Sequence, residues 1–300
     1  MKAFEYIAPT TVGEAVACLA GKGDRARPLA GGTDLIVQLR RSVLEVDLIV
    51  DVKKIPELNS ITYDPGQGLT LGAAAPCRRI IEDANIARLY PGLVDAVSLI
   101  GGTGIKGRAT IGGNLCNAAP SGDSIPAMIV LEATCAIASR AGIRRVPVER
   151  FCTAPGKTVL GQGELLVSVH FPPPGAHSGS CYLRFIPRHE MDIAVVGVGA
   201  RVDLSDDFRK ITSARIALGA VAPTPILVRE ASDLLAGKVP SETAFDQASA
   251  LSQEAASPIT DMRGTTAYRR HLVGILTKRA LLGAVERARQ ERKEGTGRDD

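Results

Sequence analysis

The chain has 300 residues, 45% of them hydrophobic and 23% charged, with a formal net charge of +4. This length and apolar content suffice for two domains of ordinary size, each with its own core. There is no basic stripe typical of a nucleic-acid binder, no apolar run near the roughly 20 residues of a membrane span, and no visible secretory signal. We therefore expect a cytoplasmic protein with no nucleic-acid partner and no membrane span.

Residues 1–55 are predicted to form a first lobe. A capping box, Thr11-Val12-Gly13-Glu14, predicts a helix to about Ala20 that Gly21 ends. The elements expected next are a strand at 27–30, a break at Gly31-Gly32, a helix at 34–41 and an apolar strand at 47–52. This order favours a βαβ unit with parallel strands and a right-handed crossover.

Residues 56–174 are predicted to form a second, α+β lobe. Turn residues at 65–68 predict a hairpin. The six glycines within 101–113 predict an irregular loop. The other expected elements are helices at 78–90, 91–100 and 124–132 and strands at 134–139 and 165–171.

Pro172-Pro173-Pro174-Gly175 predicts a domain boundary, because proline cannot continue a central strand and a proline run is semi-rigid. The domain expected at 175–289 has strands at 181–186, 193–203 and 212–221, followed by helices at 228–236, 242–256 and 265–289. A sheet followed by helices is typical of an α+β domain. The polar residues 290–300 are predicted to be a disordered tail.

The first candidate site is Ala30-Gly31-Gly32-Thr33-Asp34, at a strand-to-helix junction. Glycine lets backbone N–H groups approach phosphate oxygens, and a helix N-terminus favours an anion. A simple tight turn is an equally good interpretation of this motif alone. Asp34 would repel a diphosphate, so we assign it helix capping or acceptance from a hydroxyl. The pattern lacks G-x-G-x-x-G, which disfavours an ordinary Rossmann site.

The second candidate site, Thr110-Ile111-Gly112-Gly113-Asn114, is more specific. Thr110 and Asn114 can donate to phosphate oxygens, while Gly112-Gly113 lets the backbone approach. Asp123 follows in a Pro/Ser/Gly loop, suited to accept from sugar hydroxyls or to cap the next helix. Together the two motifs predict a dinucleotide site.

Six cysteines are scattered without any C-x-x-C, which predicts free thiols and neither a metal site nor an iron–sulfur cluster on this chain. The four histidines belong to no Ser/His/Asp or Cys/His set, so we predict no catalytic residue. His189 is a candidate for a position near a ligand, although an exposed histidine in a polar turn usually has no functional role.

The succession AGGTDL, TIGGNLCNAAPSGD, GELLVSVHFPPP and YLRFIPRHEMDIAVVGVGARV, between residues 30 and 202, resembles the FAD-binding medium subunit of the xanthine dehydrogenase / carbon monoxide dehydrogenase family of molybdenum hydroxylases. The resemblance covers about residues 1–285. It implies an α+β chain with a two-lobed FAD-binding domain of the vanillyl-alcohol-oxidase (PCMH) type and a smaller flavoprotein C-terminal domain.

The resemblance also implies which residues contact FAD. Asp123 matches an acid that binds an FAD hydroxyl, Leu166 an apolar residue near the adenine, and Arg184 a position where many relatives have a lysine. The implied cofactor-binding residues are Leu29, Ala30, Gly31, Gly32, Thr33, Asp34, Thr110, Ile111, Gly112, Gly113, Asn114, Asp123, Leu166 and Arg184. The basic residues that relatives carry before the second motif differ here, where the stretch 104–109 reads GIKGRA.

By this resemblance the chain is an oxidoreductase subunit that transfers electrons and does not act on substrate alone. A large molybdopterin-binding subunit and a small subunit with two [2Fe–2S] clusters are the implied partners. A self-contained FAD-dependent oxidase or reductase and, less favoured, a non-catalytic scaffold are the alternatives. Residues 175–285 offer no obvious substrate-handling acid/base set, and the intact glycine motifs disfavour the scaffold.

Overall fold

A computed structural model describes residues 2–188 and 191–290, so His189 and residues 291–300 of the predicted tail lie outside the described residues. The described chain is α+β, as predicted, with a three-stranded, a five-stranded and a four-stranded sheet. None of the helices within these ranges is long and apolar enough to span a bilayer.

The first lobe consists of β1 (Glu5–Ile7), α1 (Val12–Lys22), β2 (Ala26–Leu29), α2 (Leu35–Arg40) and β3 (Leu48–Asp51). The predicted parallel pairing of β2 and β3 is confirmed, and β1, which the sequence analysis missed, pairs parallel to β3 on its other side. The capping box is present, but the predicted helix end at Gly21 is wrong. Helix α1 ends at Lys22, and the next residue, Gly23, caps it with a positive φ of 56° that glycine tolerates.

The second lobe is built on an antiparallel sheet with strand order β4-β5-β10-β6-β7. Its strands are β4 (Ile61–Asp64), β5 (Gly68–Gly72), β6 (Thr134–Ser139), β7 (Gly142–Pro147), β8 (Cys152–Ala154), β9 (Lys157–Thr158) and β10 (Leu165–Phe171). Its helices are α3 (Pro56–Asn59), α4 (Cys77–Ile81), α5 (Ala84–Leu89), α6 (Pro91–Ser98), α7 (Thr103–Lys106), α8 (Ile111–Asn117) and α9 (Ser124–Val130). Strands β8 and β9 form a separate hairpin.

Two predictions for this lobe are wrong. The helix expected at 78–90 is two helices, because the Asp83 carboxylate accepts from the N–H groups of Asn85 and Ile86 and so caps a new helix. The irregular loop expected at 101–113 contains α7, and its last residues already form the first turn of α8.

The two lobes share a hydrophobic core. Val16 and Leu19 of α1 and Val50 of β3 pack with Leu165 and Val167 of β10. The first lobe also has a small core cluster of its own, made of Leu39, Val46 and Ile49, but the lobe is too small to bury α1 without the second lobe.

The C-terminal part is an antiparallel sheet in the order β11-β12-β13-β14, covered by three helices. Its elements are β11 (Ser178–Phe185), β12 (Val196–Leu204), β13 (Ile211–Gly219), β14 (Ile226–Leu227), α10 (Arg229–Leu235), α11 (Glu242–Ala255) and α12 (Thr266–Arg289). Gly179 lets α12 lie against β11, because a Cβ there would come within 2.0 Å of the Ala284 carbonyl oxygen. The division of the chain at residue 174 stays a prediction.

Ion pairs join the C-terminal sheet and α12 to the second lobe. Arg287 donates to both carboxylate oxygens of Asp95, at 2.6 and 3.0 Å, and to the Ser180 carbonyl at 2.7 Å. The backbone N–H of Tyr182 donates to the same carboxylate. A second group pairs Arg201, Arg215 and Arg229 with the acids Glu132 and Glu149.

We expect Asp95→Ala to lower the free energy of unfolding by about 2 kcal/mol, because it leaves the partly buried Arg287 without its counter-charge. Chemical denaturation followed by circular dichroism measures the change. Glu82→Ala, which breaks the exposed Arg78–Glu82 pair, is the matched control and should leave the denaturation midpoint nearly unchanged. Equal effects of the two substitutions would contradict the structural role of Asp95.

Candidate functional site

A cleft of about 960 Å³ lies between the first and second lobes, and both glycine motifs line it. Cofactor sites are typically concave and of up to about this size. Ten of the predicted site residues line the cleft: Ala30, Gly31, Gly32, Thr33, Asp34, Thr110, Gly112, Gly113, Asn114 and Leu166. Motifs 80 residues apart in the sequence therefore meet at one site, as a two-loop dinucleotide site requires.

Close backbone contacts fix the position of each motif in the fold. A Cβ at Gly31 would come within 2.1 Å of the Arg108 carbonyl oxygen, and one at Gly112 within 2.4 Å of the Ala73 carbonyl oxygen. The Arg108 side chain also donates its Nε–H to the Gly31 carbonyl at 3.3 Å. These two glycines thus let protein segments pack against each other, in addition to any approach of a ligand.

The first motif offers free donors to the cleft. Within the described part of the chain, the N–H groups of Gly31, Gly32 and Thr33 donate to no protein acceptor. Gly32 has a φ of 77°, which glycine adopts without strain. Asp34 makes no side-chain capping bond to α2, so its predicted capping role is wrong. Its carboxylate is exposed at the rim of the cleft, although nearby protein desolvates it enough to raise its pKa.

The second motif forms the start of α8. The hydroxyl of Thr110 accepts from the Gly113 N–H at 2.9 Å and caps the helix, and Thr110 is buried. The Asn114 side-chain oxygen accepts from the Ser124 hydroxyl at 2.7 Å. The side-chain nitrogen of Asn114, Nδ2, donates to no described residue and is available to a ligand in the cleft.

Asp123 and Arg184 lie beside the cleft and do not line it. The Asp123 carboxylate accepts from the Tyr182 hydroxyl at 2.8 Å and from Arg184 Nη1 at 2.6 Å. It makes no side-chain capping bond to α9, so the alternative capping role is wrong. Burial raises the pKa of Asp123 to about 6, and Arg184 and Tyr182 limit the rise.

Two further predicted residues do not line the cleft. Ile111 is fully buried in the core of the second lobe, and Leu29 packs with Leu39 and Ile49 of the first. Ile111 belongs to the second motif and Leu29 directly precedes the first, but both side chains pack into core clusters of the protein.

Sequence reasoning missed a third wall of the cleft. The segment 156–166 and Thr153 line it, and so do Arg27 and Ile100. Lys157 and Arg27 are the cations of the lining and can pair with an anionic ligand, although the acids Asp24, Asp34 and Glu164 line the cleft as well. No motif marks these residues, because they reach the cleft only through the tertiary fold.

The thiol near the motifs is unreactive. Cys116 lines the cleft, and burial raises its pKa to about 12, so it stays protonated at neutral pH. Across residues 2–188 and 191–290, no group of His, Cys, Asp or Glu is arranged to hold a metal ion.

Two protein-family models match the chain. The model described as the FAD binding domain in molybdopterin dehydrogenase matches residues 2–174, and the CO dehydrogenase flavoprotein C-terminal domain matches residues 181–284.

Individual relatives match over nearly their whole length. The xanthine dehydrogenase FAD-binding subunit of Escherichia coli O157:H7 is 34% identical over 94% of this chain and 96% of that protein. The carbon monoxide dehydrogenase medium chain of Hydrogenophaga pseudoflava is 30% identical over 94% and 96%. A chain of the reconstituted CO dehydrogenase from Oligotropha carboxidovorans superposes with a TM-score of 0.90 at 30% identity, covering 95% of this chain and 99% of that one.

The residues of the site fit FAD on three observations. Free N–H groups of the first motif and the Asn114 amide suit a diphosphate. Arg27 and Lys157 supply counter-charge. Arg184 Nε is buried and has no hydrogen-bond partner in the described structure, which marks a donor that a ligand can satisfy.

We expect Gly113→Val to weaken FAD binding by at least about tenfold, because its side chain would intrude where the backbone lines the cleft. Gly113 is the better probe than Gly112, since a Cβ at Gly113 meets only Thr110 Oγ, at 3.0 Å. Gly13→Val, in α1 and away from the cleft, is the matched control. Titration of FAD fluorescence measures both, and stoichiometric flavin in the purified Gly113 variant would contradict this assignment.

Proposed function

This chain belongs to the xanthine dehydrogenase / carbon monoxide dehydrogenase family of FAD-binding medium subunits, and on that premise we propose that it transfers electrons within a molybdenum hydroxylase complex. The electrons would come from [2Fe–2S] clusters on a small partner subunit and leave to an external acceptor. A large partner subunit would hold the molybdopterin and the substrate.

The observation that carries the proposal is the meeting of both glycine motifs in one cleft beside a buried cationic group. FAD, when bound, supplies the ability to exchange electrons singly and in pairs. The protein's own residues bind and orient the cofactor. In this proposal they provide neither a nucleophile nor a general acid or base.

We propose distinct roles for the residues around the cleft. The backbone N–H groups of Gly31, Gly32 and Thr33 and the Asn114 side-chain amide bind the diphosphate, Gly112 and Gly113 let it approach the start of α8, and Leu166 packs against the adenine. Asp123 and Arg184 belong to the same site. The further contacts proposed from the family resemblance are Leu29, Ala30, Asp34, Thr110 and Ile111, of which Leu29 and Ile111 would act through the backbone.

The proposal of a heteromer is supported by the names of the relatives, which are a subunit and a medium chain. These relatives act on different substrates by name, xanthine and carbon monoxide. Substrate identity in the proposed complex therefore rests with the large subunit.

We expect the FAD to be bound tightly but without a covalent bond. No histidyl or cysteinyl attachment motif is evident in the sequence, and burial keeps the Cys116 thiol protonated. Acid precipitation should release the flavin to the supernatant, where its absorbance is measured. Yellow colour retained in the pellet would contradict the non-covalent part of the proposal.

We also expect the isolated chain to bind FAD but not to reduce dyes with substrate. Activity should appear only when the molybdenum and iron–sulfur subunits are added, and reconstitution from purified subunits measures this directly. The matched control is the same mixture with the Gly113→Val chain, which should stay inactive. Oxidation of a purine, an aldehyde or carbon monoxide by the purified chain alone would refute the proposal and favour a self-contained flavoenzyme.

A further inference from the structure

Tyr182 is a buried residue at the junction between β11 and the second lobe. It packs with Ala96 of α6 and Ala127 of α9, and it is 2% exposed. Its hydroxyl reaches Asp123, which is 59 residues earlier in the chain, at 2.8 Å. A tyrosine buried this deeply needs a partner for its hydroxyl, and the partner here is a carboxylate of the proposed cofactor site.

The sheet leaves space for this hydroxyl. A Cβ at Gly197 on the neighbouring strand β12 would come within 2.5 Å of the Tyr182 hydroxyl oxygen. Glycine at this position therefore leaves room for the phenol hydroxyl, which donates to Asp123.

The same carboxylate holds Arg184. Asp123 Oδ2 accepts from Arg184 Nη1 at 2.6 Å, and the arginine side chain is only 7% exposed. The Arg184 Nε is buried and unpaired in the described structure. Because a guanidinium presents its donors in a rigid fork, the orientation of Nη1 on Asp123 also fixes where Nε points.

We propose that Tyr182 is a positioning residue of the cofactor site: by donating to Asp123 it fixes the carboxylate that orients Arg184, whose Nε–H has no partner in the described structure, and so it strengthens FAD binding. This inference rests on the proposed function. It assigns a role to a residue whose side chain does not line the cleft.

The electrostatics agree with this arrangement. Burial, together with the nearby Asp123 carboxylate, raises the pKa of Tyr182 well above its usual value, so the phenol stays a donor at all working pH values. Asp123 faces Arg184 and Tyr182, and its pKa is raised to about 6. As the pH falls through this range, the carboxylate becomes protonated and its ion pair with Arg184 weakens.

The test is FAD affinity of the full-length chain, measured by fluorescence titration between pH 5.5 and 8. We expect Tyr182→Phe to weaken FAD binding about tenfold at pH 7, the usual effect of losing a hydrogen bond to a charged group. Losing the donor raises the pKa of Asp123 further, so the weakening that the natural protein undergoes near pH 6 should begin at a higher pH. Tyr90→Phe, which removes the bond from another buried hydroxyl to the Pro172 carbonyl, is the matched control.

A double-mutant cycle separates positioning from packing. If Tyr182 acts through Arg184, Tyr182→Phe should have almost no further effect on FAD affinity in an Arg184→Gln background. An effect of Tyr182→Phe that equals that of Tyr90→Phe, or that persists undiminished without Arg184, would overturn the inference.

Gly197→Ala provides a second route if Tyr182→Phe does not fold. Its methyl group displaces the Tyr182 hydroxyl and should reproduce the loss of affinity, and an unchanged affinity would overturn the inference. Absence of FAD binding by the natural protein at every pH is a different outcome, because it refutes the proposed function itself.

Discussion

Close approach of main chain to main chain at two glycines is the constraint on which the site depends. Gly31 rests on the carbonyl of Arg108, and Gly112 rests on the carbonyl of Ala73. A larger residue at Gly31 would push the two lobes apart at the floor of the cleft, and one at Gly112 would push α8 away from the second-lobe segment that holds Ala73. Because the N–H groups of Gly31, Gly32 and Thr33 have no acceptor in the described part of the chain, the packing at Gly31 also leaves donors at the cleft. The spacing between the lobes and the donor pattern therefore have one cause.

Charged contacts connect this floor to the C-terminal sheet. Arg184 of β11 reaches Asp123 of the second lobe, and Arg287 of α12 reaches Asp95. Both arginines are at least partly buried, so each pair costs desolvation and stabilises the fold only while its geometry is kept. The C-terminal part therefore contributes to the proposed site, since its strand β11 supplies the buried cation Arg184 that pairs with Asp123 of the second lobe.

Much of this fold could be predicted from local sequence, and the exceptions have physical reasons. Strands β6 and β10 are found at their predicted residues because each is a strongly apolar run. Strand β1 was missed because it is a short, exposed edge strand, and β7 because most of its residues face solvent. The glycine motifs revealed the floor of the cleft. The contact between Asp123 and Tyr182, and the cations Arg27 and Lys157, depend on tertiary packing that no local pattern encodes.

The pairing of Arg287 with Asp95 spans 192 positions in sequence. Contacts of such separation form late, because a long stretch of chain must be confined before they give any stabilisation. During synthesis, helix α6 leaves the ribosome long before α12 has been made. The Asp95 carboxylate therefore has no Arg287 to pair with in that interval. Until β11 and β12 have been made, the surfaces of α6 and α9 that these strands cover in the folded protein stay exposed to solvent.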